Sequence, residues 1–338
     1  MKVLEYKDGR IQMSNKGERS LKCDEVRIKI KYAGICGTDL QIIKGNQKIK
    51  DGITLGHEAV GQIVELGKNV KNYDVNDFVI IDPNMYCGCC YYCKKGMTNF
   101  CSDNGLRIAG ITEDGMFAEY YTTSERFVYK VPDWMSLKLA TLVEPTACVL
   151  NNIRKANIKA SDAVLVIGSG PMGLIAQKLC KSICKSVTSV EISKYRSDFA
   201  KKYSDESILV EKNEDFQEVI KNNYNIIIDS VGSQMDNAMR VASYNARIIL
   251  LGIDKTYRCE FIPAEITNKG VSIIGCAEYN QIFSDTIECM ERHLDLEDII
   301  TSQYKIENYV EAVSSVIGYD IVTKNEKEIN DMKIVFKF

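Results

Sequence analysis

A glycine-rich string at residues 168–173 lies between a short apolar run and a stretch with helical character. The run before it, residues 164–167, contains only Val, Leu and Ile, as expected of a strand that is buried on both faces. The string has the form G-x-G-x-x-G, whose glycines allow a tight turn, a close approach of pyrophosphate and packing of the helix on the strand. This order predicts a βαβ unit that binds a dinucleotide.

The end of the next strand indicates which dinucleotide binds. Residues 187–190 form that strand, and Glu191 follows about 20 residues beyond the glycines, where an acid bonds the adenosine ribose hydroxyls. A carboxylate there repels a 2′-phosphate, so we predict NAD rather than NADP. Lys194 and Arg196 follow closely and either weaken this preference or are simply solvated. The predicted cofactor-binding residues of this unit are Gly168, Gly170, Pro171, Met172, Gly173, Glu191 and Arg196.

Two regions of the chain have different patterns of predicted strands. In the first, Val26, Ile28 and Ile30 alternate with basic residues, which is the period-2 pattern of a half-buried strand. Further strands with the spacing of a small barrel or sandwich are predicted at 59–66, 78–82 and 117–123. From about residue 160, apolar strands alternate with helical patterns, which indicates a doubly wound parallel sheet. These strands are predicted at 164–167, 187–192, 226–228, 248–251 and 271–274.

Two smaller patterns accompany this division. Met235, Ala238, Met239 and Ala242 recur at helical spacing, and we interpret the stripe as core packing. The tail, residues 332–338, has the pattern of a lone strand that could return to the first region.

The composition excludes several kinds of protein. The 338 residues exceed one ordinary domain, so two are expected. The net charge of -3 offers no basic face for nucleic acid, and there is no apolar run of about 18 residues, so we expect neither nucleic acid nor a membrane as a partner. Residues 1–10 mix charged and apolar side chains and lack the apolar segment of a signal peptide. We interpret the protein as cytoplasmic.

Four of the thirteen cysteines, Cys87, Cys90, Cys93 and Cys101, are spaced C-x2-C-x2-C-x7-C. Four thiolates in one short loop can surround a zinc ion completely, which leaves no position for substrate and is typical of a structural site. The alternatives are a chance run of cysteines or two disulfides, and a reducing cytosol disfavours both. Cys89, between two of the ligands, is interpreted as a spectator.

Of the two histidines in the chain, His57 is the candidate metal ligand. It lies among small residues at the start of a predicted strand and is followed by Glu58. The local pattern contains no nearby pair of ligands, so a hydrogen-bonded structural histidine remains an alternative.

The chain resembles the zinc-containing medium-chain dehydrogenases across essentially its whole length. Within that family it is similar to the sorbitol, threonine and polyol-phosphate dehydrogenase branch, because Glu144-Pro145 stands where the alcohol dehydrogenases use a third cysteine or a similar ligand. The strings that carry the resemblance occur in the family's order: 34–39, 55–58, the four-cysteine lobe, 115–120, Glu144-Pro145 and 168–173.

The resemblance implies a fold and a catalytic site. The fold is α/β: a GroES-like β-barrel catalytic domain at 1–148, completed by 289–338, and a Rossmann NAD-binding domain with a doubly wound parallel sheet at 149–288. Cys36, His57 and Glu144 would bind a catalytic zinc, which makes two zinc ions per chain with the structural one. Glu58 would lie beside the metal, and Thr38 would pass the proton outward. Later cofactor-binding loops would contain Val231, Gly252 and Ile253.

The function implied is hydride transfer between a secondary alcohol and NAD. The alcohol would be a polyol, a sugar, a sugar phosphate or an amino alcohol, or the corresponding ketone. Gln41 stands where many relatives have a histidine, and because it cannot titrate, the proton must leave by another route. Relatives form homodimers or homotetramers, and residues 271–279 are the candidate contact. Two alternatives are a zinc-free quinone or enal reductase of the same superfamily and a non-catalytic protein that binds NAD and zinc.

Overall fold

A computed structural model describes residues 1–102, 107–211, 214, 216–221 and 223–338. In this part of the chain the strands are β1 (Lys2–Lys7), β2 (Arg10–Asn15), β3 (Glu25–Gly34), β4 (Ile53–Thr54), β5 (Glu58–Leu66), β6 (Phe78–Ile81), β7 (Asn84–Met85), β8 (Arg107–Ile108), β9 (Tyr120–Ser124), β10 (Val128–Lys130), β11 (Ala163–Ile167), β12 (Ser186–Glu191), β13 (Glu206–Leu209), β14 (Tyr224–Asp229), β15 (Ala242–Leu250), β16 (Ser272–Gly275), β17 (Ile300–Lys305) and β18 (Lys333–Lys337).

The α-helices of the described residues are α1 (Gly37–Ile43), α2 (Tyr91–Lys94), α3 (Leu137–Ala140), α4 (Val143–Ala156), α5 (Pro171–Lys181), α6 (Lys194–Ala200), α7 (Phe216–Val219), α8 (Met235–Val241), α9 (Pro263–Lys269), α10 (Phe283–His293) and α11 (Tyr309–Ile317). Within the described ranges, no helix combines the length and the apolar character that crossing a membrane requires.

The chain divides into two compact units. The first contains Met1–Pro145, Asn280–Glu291 and Asp295–Phe338, and the second contains Thr146–Tyr279 and Arg292–Leu294.

The first unit is built around a mostly antiparallel sheet in the order β10-β6-β5-β3-β18-β17, with β9 also paired to β3. β3 is the central strand because its inward residues Val26, Ile28 and Ile30 are fully buried while Lys29 is exposed, as the alternation predicted. The C-terminal strand β18 pairs with β3 antiparallel and with β17 in parallel. The end of the chain therefore lies against the middle of this sheet.

The second unit contains a six-stranded sheet in the order β13-β12-β11-β14-β15-β16, in which every neighbouring pair is parallel. Numbered from the first strand of the unit, this is the order 3-2-1-4-5-6 of a doubly wound dinucleotide-binding sheet. Val164, Leu165 and Val166 of β11 are fully buried because the strand is at the centre of the sheet. The predicted doubly wound parallel sheet is confirmed.

Several predicted elements differ from the structure at their ends. The strand predicted at 117–123 begins only at Tyr120, because the backbone before it bonds to two separate segments: the N–H groups of Met116 and Phe117 donate to the Gly56 and Leu55 carbonyls, and the Phe117 carbonyl accepts from the Leu4 N–H. The helix predicted from the stripe at Met235 ends at Val241, and Ala242 begins β15. All four stripe residues lie in the core of the second unit, as predicted.

Candidate metal centres and cofactor site

The four predicted cysteines of the lobe form one cluster, and their sulfur atoms all lie within 4.8 Å of one another. Cys87 follows β7, Cys90 precedes α2, Cys93 lies within α2, and Cys101 ends a short 3-10 helix. The Sγ atoms of Cys87 and Cys93 are 3.9 Å apart. Two short turns thus bring the thiols together, and no thiol of the thirteen, all of which lie in described segments, is part of a disulfide.

Backbone amides favour the thiolate form at two of these cysteines. The N–H groups of Cys89 and Cys90 donate to Cys87 Sγ at 3.4 and 3.3 Å and lower the pKa of Cys87. The amides of Cys93 and Ser102 lower the pKa of Cys90 to about 5. Burial raises the pKa of Cys93. Four sulfur donors at these separations fit a tetrahedral zinc ion, which would hold all four as thiolates.

The second cluster joins residues from distant parts of the first unit. Donor atoms of Cys36, His57 and Glu58 lie within 4.8 Å of one another. Cys36 caps the start of α1, immediately after β3, and Glu58 begins β5 opposite Gly34. The antiparallel pairing of β3 and β5 therefore brings the thiol to the imidazole and the carboxylate. The structure places Glu58 in the cluster itself, whereas the resemblance placed it beside the metal, able to bind it transiently or to hold the bound water.

The electrostatics of this cluster fit a bound cation. His57 Nδ1, Glu58 Oε1 and Asp39 Oδ1 are buried, and none has a hydrogen-bond partner among the described residues. Burial by itself would lower the pKa of His57, but the charges of Cys36 and Asp39, and the more distant charge of Glu144, outweigh burial and raise the pKa well above its usual value. Buried polar atoms rarely stay unsatisfied. A thiolate, an imidazole and two carboxylates with unused acceptors suit a divalent metal ion.

Glu144, the third predicted ligand, lies in the first turn of α4 and is buried. Its carboxylate is close enough for its charge to raise the pKa of both His57 and Lys333. Glu144 thus lies near the cluster, but its carboxylate is not among the donor atoms of Cys36, His57 and Glu58 that lie within 4.8 Å of one another.

Asp39 and Lys333 also belong to this site. Asp39 is fully buried, and its Oδ2 accepts from the Cys36 N–H at 2.9 Å while its Oδ1 lies 4.0 Å from His57 Nδ1. The capping-box position, three residues after Cys36, is a sequence signal for the first contact. Lys333 forms an ion pair with Glu58, and no local sequence pattern predicted it.

Thr38, which is predicted to pass the proton outward, and Gln41, which is not, are both partly exposed. The Thr38 N–H donates to Cys36 Sγ at 3.5 Å, which places this threonine next to the metal cluster. The Gln41 Oε1 atom accepts from Asn46 Nδ2 at 2.8 Å. The amide at position 41 is therefore engaged in a local hydrogen bond.

In the second unit the glycine string lies between β11 and α5. Gly168 has a φ of 93°, and a Cβ there would lie 2.7 Å from Val231 Cγ2, so a larger residue does not fit. Gly170 precedes α5, Pro171 occupies its first turn with Met172 and Gly173, and no side chain caps the helix. The N–H groups of that turn are left for an anion such as a pyrophosphate.

Glu191 ends β12 and connects the string to the neighbouring strand. Its buried carboxylate accepts from the backbone N–H groups of Ser169 at 2.7 Å, Ile192 at 2.8 Å and Ser193 at 2.9 Å. Because a carboxylate has about four acceptor sites, a site remains for a ribose hydroxyl. The residue therefore both orders the turn and fits the predicted contact.

Of the two cations after Glu191, only Arg196 reaches the glycine string. A Cβ on Gly170 would lie 3.9 Å from Arg196 Nη1, and Arg196 Nε is buried without a hydrogen-bond partner in the described parts of the chain. Lys194 instead pairs with Asp198 at 2.6 Å on the surface. One guanidinium is thus available near the predicted phosphate position.

The two later loops lie at the carboxyl ends of β14 and β15, next to the glycine string. Val231 is positioned by Asp229, whose Oδ1 accepts from the Val231 N–H at 2.9 Å. A Cβ on Gly252 would lie 2.4 Å from the backbone nitrogen of Gly232, so the two loops touch. Val231 is 46% exposed and Ile253 is 70% exposed. Exposed apolar side chains at this end of a doubly wound sheet suit the flat rings of a dinucleotide.

Comparisons with known proteins agree with both units. The alcohol dehydrogenase GroES-like domain model matches residues 22–133, and the zinc-binding dehydrogenase model matches residues 171–294. The Bacillus subtilis sorbitol dehydrogenase is 26% identical over 90% of this chain and 88% of its own. D-arabinitol dehydrogenase 1 of Uromyces fabae is 28% identical over 87% of each chain. An Escherichia coli alcohol dehydrogenase solved with NADH superposes with a TM-score of 0.90 at 27% identity, covering 100% of this chain and 98% of that one.

The fold is thus α/β, with a GroES-like domain and a Rossmann-type parallel sheet, and the predicted fold class is confirmed. The chain belongs to the zinc-containing medium-chain dehydrogenase/reductase family of NAD(P)-linked oxidoreductases.

Proposed function

We propose that this protein is a zinc-dependent dehydrogenase that transfers hydride between a polyol, or a related secondary alcohol, and NAD. The observation that carries the proposal is the buried convergence of Cys36, His57 and Glu58, with acceptor atoms that the described residues leave unsatisfied. Relatives named as sorbitol and D-arabinitol dehydrogenases favour a polyol, and a sugar, a sugar phosphate or an amino alcohol belongs to the same class of substrate.

Cys36 and His57 would hold the catalytic zinc together with a carboxylate. The family resemblance favours Glu144 as that carboxylate, and the distances favour Glu58. Three protein ligands leave one position open, as a catalytic zinc requires. The four cysteines of the lobe would hold a second, structural zinc.

When bound, zinc supplies a Lewis acid that polarises the alcohol oxygen and lowers its pKa. Asp39 Oδ1 lies 4.0 Å from His57 Nδ1, and its charge would favour an orientation in which that ring nitrogen carries a proton. Thr38 Oγ1 is proposed to relay the proton, accepting one from the alcohol as it donates its own onward. Since Gln41 cannot titrate and its side chain is bonded to Asn46, the proton leaves from Thr38 by a route that does not use position 41.

The glycine string and Glu191 are proposed to bind the pyrophosphate and the adenosine ribose of NAD. The negative charge of Glu191 disfavours the 2′-phosphate of NADP, while Arg196 would attract it. Because Glu191 is fixed by three N–H donors and cannot turn away, we propose that NAD is preferred.

We also propose that the protein is a cytoplasmic homodimer or homotetramer joined through β16. This strand is at the edge of the six-stranded sheet, and Ser272, Ile273 and Gly275 are exposed. An exposed edge strand offers unpaired N–H and C=O groups to a second copy. Residues 271–279 therefore remain the proposed contact.

The function is tested by measuring zinc content and by following NADH fluorescence with polyols, polyol phosphates and amino alcohols, with and without a chelator. The expected result is about two zinc ions per chain and chelator-sensitive formation of NADH. Glu144→Ala is expected to abolish turnover while NAD binding stays largely intact. Turnover near that of the wild type would contradict a role for Glu144 at the metal.

The same measurements separate the alternatives. A zinc-free quinone or enal reductase would contain no zinc and would lack activity with alcohols. A non-catalytic protein that binds NAD and zinc would contain both but would form no NADH with any alcohol.

A further inference from the structure

A buried ion pair joins the C-terminal strand to the proposed catalytic cluster. Lys333, the first residue of β18, is 3% exposed, and its ammonium group contacts Oε2 of Glu58, which is 1% exposed. A lysine is rarely buried this completely unless it is paired. Removing both charges from water costs free energy, and the attraction between the ammonium group and the carboxylate offsets part of that cost.

The backbone provides the space for this pair. A Cβ on Gly34 would lie 2.3 Å from Glu58 Oε2 and 3.2 Å from Lys333 Cε, so only glycine at position 34 allows the two side chains to meet. β18 is held against this point because Val335 pairs with Gly34 and the Ile35 N–H donates to the Ile334 carbonyl at 3.0 Å. The strands β3, β5 and β18 thus position Lys333 and Glu58 next to each other.

Three groups that can carry a negative charge act on Lys333. Burial alone would lower the pKa of Lys333, but the charges of Glu58, Cys36 and Glu144 raise it above its usual value. These groups therefore favour the charged form of the lysine that contacts Glu58.

The two oxygens of Glu58 have different surroundings. Both are buried without a hydrogen-bond partner in the described parts of the chain, but Oε2 is the oxygen that contacts the ammonium group of Lys333 as an ion pair. A carboxylate can bind a metal ion through one oxygen or through both. If both oxygens of Glu58 bound a zinc ion that Cys36 and His57 also hold, they would fill its fourth position, and water or the alcohol could bind only as a fifth ligand.

We propose that Lys333 is a positioning residue that restricts Glu58 to one oxygen at the catalytic metal and so keeps one coordination position open for the alcohol. This inference rests on the proposed function, since it requires a metal held by Cys36, His57 and Glu58.

The test uses the full-length protein. Co²⁺ replaces zinc at the cluster of Cys36, His57 and Glu58, and the four cysteines of the lobe retain zinc. Four-coordinate Co²⁺ absorbs visible light more strongly than five-coordinate Co²⁺, so its spectrum reports the number of ligands. In Lys333→Met we expect a weaker, five-coordinate spectrum, at least about tenfold slower release of Co²⁺ to a chelator, and loss of kcat with the alcohol, because the second oxygen of Glu58 becomes free to bind.

The matched control is the double variant Lys333→Met with Glu58→Gln. A glutamine has a single side-chain oxygen and cannot chelate as a carboxylate does, so the double variant should recover the four-coordinate spectrum. Lys333→Arg, which retains the cation, should resemble the wild type. A change of spectrum that the second substitution reverses is not expected of a lysine with a merely structural role.

Because Lys333→Met removes the buried cation and could prevent folding, Lys333→Gln, which keeps a hydrogen-bond donor, is measured in parallel. For Lys333→Gln we expect the same changes in spectrum, release rate and kcat as for Lys333→Met. A wild-type spectrum and release rate in either folded variant would overturn the inference about Lys333 alone. A wild-type chain that takes up metal only at the four cysteines would overturn the proposed function and this inference together.

Discussion

The cluster of Cys87, Cys90, Cys93 and Cys101 (the thiol cluster) differs from the cluster of Cys36, His57 and Glu58 (the mixed cluster) in where its donor atoms come from and in what surrounds them. The thiol cluster is drawn from residues 87–101, and the helices that present it have only four and three residues. The mixed cluster is drawn from the end of β3, the start of β5 and, through Lys333, the start of β18. These strands are part of a sheet with a fully buried core.

This difference indicates that the fold depends on the metal at the thiol cluster but not on the metal at the mixed cluster. Helices of four and three residues do not hold four thiols together by themselves, so we expect zinc to contribute folding free energy to the lobe. The mixed cluster has a frame that the core of the sheet stabilises, and a metal there contributes chemistry instead. We therefore expect loss of one metal to cost stability and loss of the other to cost turnover.

The largest effect is expected from His57→Ala. Removing the imidazole should reduce zinc from about two ions per chain to about one. Turnover should fall at least about a thousandfold, because the metal supplies several kcal/mol to the transition state and about 1.4 kcal/mol is a factor of ten. Elemental analysis and NADH formation measure the two effects.

The control for His57→Ala is thermal unfolding with NAD titration. The affinity for NAD should change little, since the glycine string lies in the second unit. The melting temperature should also change little, since β3 and β5 keep their core. If His57→Ala unfolded the first unit, the distinction between a metal for chemistry and a metal for folding would fail.

Cys93→Ser is expected to have the next largest effect, this time on stability. Cys93 is, with Cys101, one of the two buried members of the thiol cluster. Without it the lobe should lose its zinc, and the free energy of unfolding should fall by at least roughly 2 kcal/mol. The mixed cluster should keep its metal and any folded protein its turnover. A Cys93→Ser protein with an unchanged zinc content and melting temperature would refute the structural role.

The same difference explains what the sequence predicted. The thiols and the glycine string are local patterns, and the alternation of β3 and the apolar run of β11 follow directly from which faces are buried. The ion pair of Glu58 with Lys333 joins residues that are far apart in sequence, so no spacing rule could find it. The irregular backbone before Tyr120 was predicted as strand for a similar reason, since the hydrogen-bond partners of Met116 and Phe117 come from two distant segments.

Asp39→Asn tests whether the charge beside His57 contributes to metal affinity at the mixed cluster. The substitution keeps the shape and an acceptor for the Cys36 N–H but removes the charge that faces His57 Nδ1. Groups that orient a ligating histidine typically contribute about 10- to 100-fold to metal affinity, so competition with a chelator should reveal a loss of that size. The zinc of the four cysteines, measured in the same sample, is the internal control and should not change. Equal affinity in the two proteins would show that Asp39 only caps α1.

Asn280→Ala tests whether the thiol cluster is as local as its spacing indicates. Asn280 lies far along the chain, yet its Oδ1 accepts from the N–H and the hydroxyl of Thr98 at 2.9 and 2.8 Å, and its Nδ2 donates to the Gly96 carbonyl. Both partners lie between Cys93 and Cys101, so these bonds tie the lobe to the segment that enters α10.

Losing these bonds should destabilise the first unit by about 1 kcal/mol and accelerate loss of the lobe's zinc to a chelator, with turnover unchanged before the zinc is lost. Asn280→Asp is the matched control, because it keeps the acceptor for Thr98 and loses only the donor to Gly96, and its effect should be smaller. If both variants released zinc at the wild-type rate, the lobe would be self-sufficient, and the contrast between a local and a distributed site would be sharper than the hydrogen bonds indicate.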